Sequence, residues 1–116
     1  MNELAIALSV VEYVAEAASG RRVHKITIEI GKLSGIAPDA VAFCFPEVAP
    51  GTPAETARLD IREIGGRAYC ETCGSEFPLP DMSAVCPCGS IRFRPIAGEE
   101  LNLKSIEMEL GEAEFL

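Results

Sequence analysis

The stretch C-E-T-C-G at residues 70–74, followed by C-P-C-G at residues 86–89, decides how the rest of this chain is organised. Two cysteines three positions apart and followed by glycine are typical of a metal knuckle, because the turn directs both thiolates at one ion. The first pair has this spacing, whereas the second pair is one position shorter and needs a tighter turn. Four protein sulfurs leave no coordination position for water, so the predicted zinc is structural. Its predicted ligands are Cys70, Cys73, Cys86 and Cys88.

Two alternative interpretations of these cysteines are a redox pair and unligated core residues. A redox C-x-x-C is typical of a strand-to-helix junction inside a βαβ unit. Residues 75–85, which separate the two pairs, contain Pro78, Pro80 and Asp81 and have no helical period, so zinc is favoured. An enzyme is disfavoured, because a catalytic zinc needs an open position and a general base.

Length and charge limit the classes of protein that fit. The 116 residues correspond to one domain, or to a small domain that carries a smaller, metal-stabilised one. The net charge is −8, and residues 99–116 contribute six acidic side chains against one basic side chain. Nucleic acid is therefore not an expected partner, because a protein that binds phosphates needs a basic face.

The sequence also bears on the cellular compartment. No apolar run reaches transmembrane length, and Glu3, Glu12 and Glu16 interrupt the apolar residues 4–18. Five cysteines with paired knuckle spacing fit a reducing compartment. We expect a cytoplasmic protein with no membrane partner. We interpret the fifth cysteine, Cys44, as a small buried hydrophobic residue.

Hydrophobic periodicity predicts two helices. The first spans residues 3–18, with Asn2 as its cap and Gly20 at its end. The second begins at Pro38 and is kinked or ended early by Pro46. The side chains that we expect to face the core are Leu4, Leu8, Val11, Val14, Ala15 and Ala18 in the first helix and Val41, Ala42 and Phe45 in the second.

Alternating apolar residues predict three strands, which gives an α+β fold with a small three-stranded sheet. The strands lie at residues 23–32, around residues 59–62 and at residues 100–110. His24, the only histidine, is in phase with the strand isoleucines, and we expect it to pack against the sheet rather than to bind a metal.

The strands on both sides of the cysteines predict that the metal segment is inserted into a loop of a larger domain. The predicted larger domain comprises residues 1–66 and 97–116. The predicted insertion, residues 67–96, is a four-cysteine, zinc-ribbon-like domain.

The order of these parts resembles the HypA/HybF nickel-incorporation proteins over essentially the whole chain. The resemblance rests on M-N-E-L at residues 1–4, I-E-I-G-K-L-S-G at residues 28–35, the four cysteines, and L-K-S-I-E at residues 103–107. It implies an accessory metallochaperone that delivers Ni²⁺ to NiFe hydrogenase and is not itself an enzyme. The implied partners are a nickel-insertion GTPase, the hydrogenase large subunit and, in some organisms, urease accessory proteins.

The resemblance also implies site residues and a fold. The fold is a small α/β nickel-binding domain with a zinc domain inserted through two short strands. The resemblance implies that the four cysteines bind zinc. It implies that Met1, Asn2 and Glu3 bind nickel, with Asp39 as a further contributor.

The chain departs from this family at two positions. The family usually begins Met-His-Glu, whereas residue 2 here is Asn2, and an amide suits Ni²⁺ less well than imidazole. The family usually carries C-P-x-C-G, whereas the second pair here is one residue shorter. Two functions remain open at this point: a nickel metallochaperone, and a zinc-stabilised adaptor that keeps partner binding but binds nickel weakly.

Overall fold

The computed structural model describes residues 2–115, and these residues contain two helices and seven strands. The predicted α+β class is confirmed. No helix among the described residues is long and apolar enough to cross a membrane. The elements in chain order are α1 (Glu3–Ala18), β1 (Val23–Gly31), α2 (Pro38–Val48), β2 (Arg58–Ile64), β3 (Arg67–Cys70), β4 (Glu76–Pro78), β5 (Phe93–Ala97), β6 (Leu101–Met108) and β7 (Gly111–Glu114).

The chain divides into two compact units. The first unit comprises the described residues up to Glu29, Ala37–Arg62 and the described residues from Asn102 onward. The second unit comprises Ile30–Ile36 and Glu63–Leu101. The domain limits at residues 66 and 97 stay a prediction.

The ends of α1 follow from local side-chain chemistry. The Oδ1 atom of Asn2 accepts hydrogen bonds from the backbone N–H groups of Leu4 and Ala5, at 3.1 and 3.2 Å. This cap satisfies two of the amides that the first helical turn leaves without a partner. The helix ends where Ser19 and Gly20 adopt left-handed backbone angles, with φ of 51° and 86°.

The predicted core face of α1 is partly wrong. Leu4 and Leu8 are 45% and 44% exposed, and Ala15 is only half-buried. Apolar side chains occupy more than one face of this helix, so periodicity alone does not determine which face is turned towards the core. The face that is buried carries Ile6, Ala7, Val10, Val11, Val14 and Ala18.

Helix α2 begins at Pro38 as predicted and packs against α1. Val41 and Phe45 are buried, but Ala42 is exposed, contrary to the prediction. The helix continues through Pro46 for two further residues. Proline at this position removes one backbone N–H near the helix end, where the loss of a single hydrogen bond is tolerated.

The larger sheet has four strands in the order β2-β1-β6-β7, one more than predicted. The residues predicted as a single strand at 100–110 form most of a hairpin, in which Met108 pairs with Gly111 across a two-residue turn. Leu110 lies in this turn with φ of 66° and is 92% exposed. Leucine is not among the residues that mark turns, so no local signal indicates β7.

Strand β1 is buried on more than its isoleucine face. Ile26 and Ile28 are fully buried, and Thr27 between them is only 3% exposed. His24 is exposed, so the expectation that it packs against the sheet is wrong. The strand is nevertheless covered at this end, because Val23, the residue before His24, is fully buried.

Three glycines of the second unit meet in a close backbone contact. A Cβ atom on Gly66 would lie 2.0 Å from the carbonyl oxygen of Leu79, and one on Gly98 would lie 2.7 Å from Gly66 Cα. A Cβ atom on Gly31 would lie 2.0 Å from the Gly98 carbonyl oxygen, which accepts the Leu33 N–H at 2.6 Å. Only glycine allows backbones to approach this closely.

We expect Gly66→Ala to destabilise the protein by about 1–3 kcal/mol, because backbone rather than a flexible side chain must move to admit the methyl group. At its neighbour Gly65, no atom lies within 4 Å of the position that a methyl group would occupy. Gly65→Ala is therefore the matched control and should change stability by less than roughly 0.5 kcal/mol. Chemical denaturation of both variants with metal bound measures the difference. Equal stabilities for the two variants would contradict the close contact.

Candidate metal centre

Four cysteine sulfurs converge in the second unit. Their Sγ atoms all lie within 4.8 Å of one another. Cys70 Sγ is 3.7 Å from Cys88 Sγ, and Cys73 Sγ is 3.7 Å from Cys86 Sγ. Each of these close contacts joins one cysteine of the first knuckle to one of the second, so both knuckles face the same point.

The first knuckle begins where β3 ends. The backbone N–H of Cys70 donates to the Ser75 carbonyl at 2.8 Å, and the N–H of Gly74 donates to the Cys70 carbonyl at 2.9 Å. Gly74 has φ of 78°, which glycine adopts without strain. The N–H of Cys73 approaches Cys70 Sγ at 3.5 Å, so the turn directs a backbone donor at sulfur.

The second knuckle repeats this arrangement with one residue fewer. The N–H of Cys86 donates to the Ser90 carbonyl at 3.1 Å, and the N–H of Gly89 donates to the Cys86 carbonyl at 2.7 Å. Gly89 also has a left-handed φ, of 94°. Both closing hydrogen bonds are therefore retained, each spanning one residue less than in the first knuckle. The shorter C-P-C pair still directs its sulfurs at the cluster.

The repeated triplet C-G-S is the sequence signal for this equivalence, although the predictions made from the sequence did not use it. It occurs at residues 73–75 and again at residues 88–90. In both copies the glycine reverses the chain and the serine carbonyl accepts the N–H of the first cysteine of its knuckle.

The apolar core beneath the sulfurs is small. One cysteine of each knuckle, Cys70 and Cys86, belongs to it, whereas Cys73 and Cys88 are exposed. The rings of Phe77 and Phe93 meet edge to face, with centroids 5.6 Å apart. The buried members are Ala68, Cys70, Phe77, Leu79 and Cys86, with Leu33, Ala84 and Phe93 packed against them.

The electrostatics of the cluster favour a bound cation. The N–H of Cys73 is the main cause that lowers the pKa of Cys70, to about 6, against the opposing effect of burial. For Cys86 the N–H of Cys88 acts in the lowering direction, but burial and the three neighbouring thiols together raise the pKa to about 12. The Cys70 thiol thus ionises readily while the Cys86 thiol resists ionisation, because burial and the neighbouring thiols disfavour the charged form of Cys86. A cation would remove this conflict.

The donor set and its spacing fit zinc. A tetrahedral Zn²⁺ with Zn–S bonds of about 2.3 Å places its sulfurs about 3.8 Å apart. The observed cross-knuckle distances of 3.7 Å agree, whereas a disulfide would require about 2.0 Å. All five cysteines of the chain are free thiols in the structure. Among the described residues, only this group brings three or more metal-ligating side chains together.

Of the residues predicted for nickel, Asn2 and Glu3 lie at the start of α1, and Met1 is outside the described residues. Asn2 uses its side-chain oxygen to cap the helix. Glu3 Oε2 accepts the backbone N–H of Ala37 at 3.1 Å, and this hydrogen bond is the main cause that lowers the pKa of Glu3. Asp39, in the first turn of α2, follows Ala37 by two residues and is exposed.

Two other residues singled out in the sequence are not part of the cluster. His24 is exposed on β1 in the first unit. Cys44 is only half-buried on α2, whereas a small buried hydrophobic residue was predicted.

We expect Cys73→Ser to lower metal affinity by more than about 100-fold, because changes that only touch a ligand's neighbours already cost 10- to 100-fold. The second unit has a small core, so loss of metal should also make residues 70–88 sensitive to protease. Cys44→Ser removes a thiol outside the cluster, so this variant should retain both its metal and its resistance to protease. Elemental analysis and limited proteolysis check both variants. A metal-free but resistant Cys73→Ser protein would contradict the role of the metal.

Comparison with known proteins identifies the family. Residues 1–108 match the family described as "Hydrogenase/urease nickel incorporation, metallochaperone, hypA". The chain is 50% identical over 109 residues to a hydrogenase maturation factor HypA of Nostoc sp., covering 94% of this chain and 96% of that protein. It is 46% identical over 110 residues to a HypA of Geobacter metallireducens, covering 94% of this chain and 100% of that protein.

The fold is also similar to that of solved structures. The solution structure of the Ni metallochaperone HypA from Helicobacter pylori matches with a TM-score of 0.68 at 23% identity, covering 93% of this chain and 97% of that one. At this identity the likeness establishes the fold alone. The sequence matches, which span nearly the whole length of both partners, show that this chain belongs to the HypA family of hydrogenase/urease nickel-incorporation metallochaperones.

Proposed function

We propose that this chain delivers Ni²⁺ during assembly of the NiFe hydrogenase active site, while Zn²⁺ maintains the structure of its second unit. The observation that carries the proposal is the match over residues 1–108 to a family of nickel-incorporation metallochaperones. The proposed zinc ligands are Cys70, Cys73, Cys86 and Cys88.

The zinc in this proposal is structural. Four sulfurs complete a tetrahedral shell, so no position remains where water or a substrate could be activated. We therefore assign no reaction to the chain. The zinc contributes by holding two knuckles together over a core that is too small to do so alone.

The proposed nickel ligands are the amine of Met1 and the backbone nitrogens of Asn2 and Glu3. The hydrogen bonding of α1 supports this choice. Its first backbone hydrogen bond runs from the N–H of Ile6 to the carbonyl of Asn2, at 3.1 Å. The amides of residues 2 and 3 precede every N–H that the helix uses, so each could release its proton to solvent and bind a metal without breaking a helical hydrogen bond. Square-planar nitrogen coordination suits Ni²⁺.

The role of Asn2 as a helix cap favours a second candidate function. Its Oδ1 atom already accepts two backbone N–H groups, and an amide is a weaker nickel ligand than imidazole. A chain with this residue could act as a zinc-stabilised adaptor that keeps partner binding but binds nickel weakly. The two candidates differ in one observable, the nickel affinity of the unmodified chain.

The proposed partners are a nickel-insertion GTPase, the hydrogenase large subunit and urease accessory proteins, all in the cytoplasm. The free thiols fit a reducing compartment. The net charge of −8 supports a protein or metal cargo rather than nucleic acid or an anionic membrane surface.

Nickel calorimetry on zinc-loaded protein should show one site of about micromolar affinity in the unmodified chain. Asn2→His should bind at least about tenfold more tightly, because imidazole adds a strong ligand. Asn2→Asp is the matched control, since aspartate also caps a helix and brings no imidazole. Nickel binding that appears only in Asn2→His would contradict a working chaperone and establish the adaptor.

Glu3→Ala should lower nickel transfer to the GTPase or hydrogenase maturation several-fold without unfolding the protein. The substitution removes the acceptor for the Ala37 N–H, and with it the contact between the start of α1 and the start of α2. Glu3→Gln keeps an oxygen acceptor for the Ala37 N–H, so it should lower nickel transfer and maturation less than Glu3→Ala does. Hydrogenase maturation is measured with both variants, and full maturation with Glu3→Ala would show that the Glu3 side chain has no part in delivery.

A further inference from the structure

Two hydrogen bonds join the segments of the two cysteine knuckles outside the sulfur cluster, and a third holds Ser90 in place. The hydroxyls of Thr72 and Ser90 lie 2.7 Å apart. The backbone N–H of Arg92 donates to Ser90 Oγ at 3.0 Å, and the N–H of Glu71 donates to the Arg92 carbonyl at 2.9 Å. All four residues belong to the second unit, and together they link the turn after Cys70 to the turn after Cys88.

We propose that Thr72 and Ser90 are positioning residues for the metal: their hydroxyl pair, here called the hydroxyl clasp, holds the exposed cysteines in place and slows metal release. The inference rests on the proposed zinc ligation and adds to it a control over how long the ion stays bound.

The division of the cysteines by burial shows why a clasp is needed. Cys70 and Cys86 are fixed by the core in which they are buried. Cys73 and Cys88 are exposed, so core packing does not restrain them. Thr72 immediately precedes Cys73, and Ser90 follows Cys88 by two residues. The clasp therefore acts on the two ligands that the core leaves free.

The short second knuckle makes the position of Ser90 critical. Its carbonyl closes the knuckle by accepting the Cys86 N–H, while its hydroxyl bonds to Thr72 of the first knuckle. One residue thus sets both the shape of the C-P-C turn and its distance from the opposite turn. The Arg92 N–H fixes the hydroxyl oxygen in this position.

The energetic role of the clasp follows from the path of metal release. For zinc to leave, the exposed cysteines must move away from the ion, which separates the two knuckles and breaks the Thr72–Ser90 hydrogen bond. A net contribution typical of one hydrogen bond corresponds to about a three- to tenfold slower release. The effect should be shared by the two hydroxyls, because removing either one breaks the same bond.

The test is the rate of zinc transfer from the loaded protein to excess chelator, followed with a chromogenic zinc indicator. We expect Thr72→Val and Ser90→Ala each to accelerate transfer about three- to tenfold, and the double variant to be little faster than either. Thr72→Ser keeps a hydroxyl and should restore slow release. Ser83→Ala is the control, because that hydroxyl bonds to Asp81 in the same unit and not to the opposite knuckle.

A spectroscopic readout separates positioning of the ligands from a general loss of stability. With Co²⁺ in place of zinc, the visible d–d bands report the geometry of the four sulfurs. We expect these bands to change in Thr72→Val and Ser90→Ala and to stay unchanged in Thr72→Ser and Ser83→Ala. A purely structural role would lower the unfolding temperature and leave the bands as they are.

The outcomes distinguish failure of the clasp from failure of the zinc proposal. Absence of zinc from the purified, unmodified protein by elemental analysis, with no binding on addition, would overturn the zinc proposal and the clasp with it. Stoichiometric zinc with unchanged release rates in both single variants would overturn the clasp alone. Accelerations that multiply in the double variant would also overturn it, because the two hydroxyls would then act independently.

Discussion

Four sulfur atoms brought within 4.8 Å of one another form the constraint on which the second unit depends. Without a cation, close thiolates repel, and burial together with the neighbouring thiols raises the pKa of Cys86. The proposed zinc would convert the repulsion into four metal–sulfur bonds. The unit has a small apolar core, and these bonds would supply folding free energy that the core lacks. The close contact of Gly31, Gly66 and Gly98 belongs to the same unit, and the Leu33 side chain that packs against the core lies beside Gly66 and Gly98.

The start of α1 combines two demands on the same few residues. As a helix terminus it needs acceptors for free N–H groups, and Asn2 supplies one. As a proposed nickel site it needs nitrogens that the helix does not use, and the amides of residues 2 and 3 meet that need. The Glu3 carboxylate links this site to the first turn of α2, near Asp39 in the sequence.

Sequence reasoning was sufficient where chemistry is local. The spacing of the cysteines identified the cluster, and Asn2 and Gly20 marked the ends of α1. It failed where the outcome depends on distant packing. Two apolar faces on α1 left its rotation open, and the leucines Leu4 and Leu8 were wrongly assigned to the core.

Other features had no local signal at all. The contact of Glu3 with Ala37 joins residues far apart in the chain. The hairpin that contains β7 turns at Leu110, a residue type that rarely adopts a left-handed backbone. The hydroxyl clasp likewise joins Thr72 to Ser90 across the two knuckles. Only the repeated C-G-S triplet could have indicated that the knuckles are equivalent.

The proposed coordination of one metal ion by all four cysteine sulfurs underlies both the expected stability of the second unit and the proposed clasp. X-ray absorption at the zinc edge of the purified protein reports the type, number and distance of the atoms bound to the metal. We expect four sulfurs at about 2.3 Å and no nitrogen or oxygen bound to the ion. Two or three sulfurs completed by nitrogen or oxygen would contradict four-sulfur ligation, because the short Cys86–Cys88 knuckle would then fail to deliver both of its thiolates.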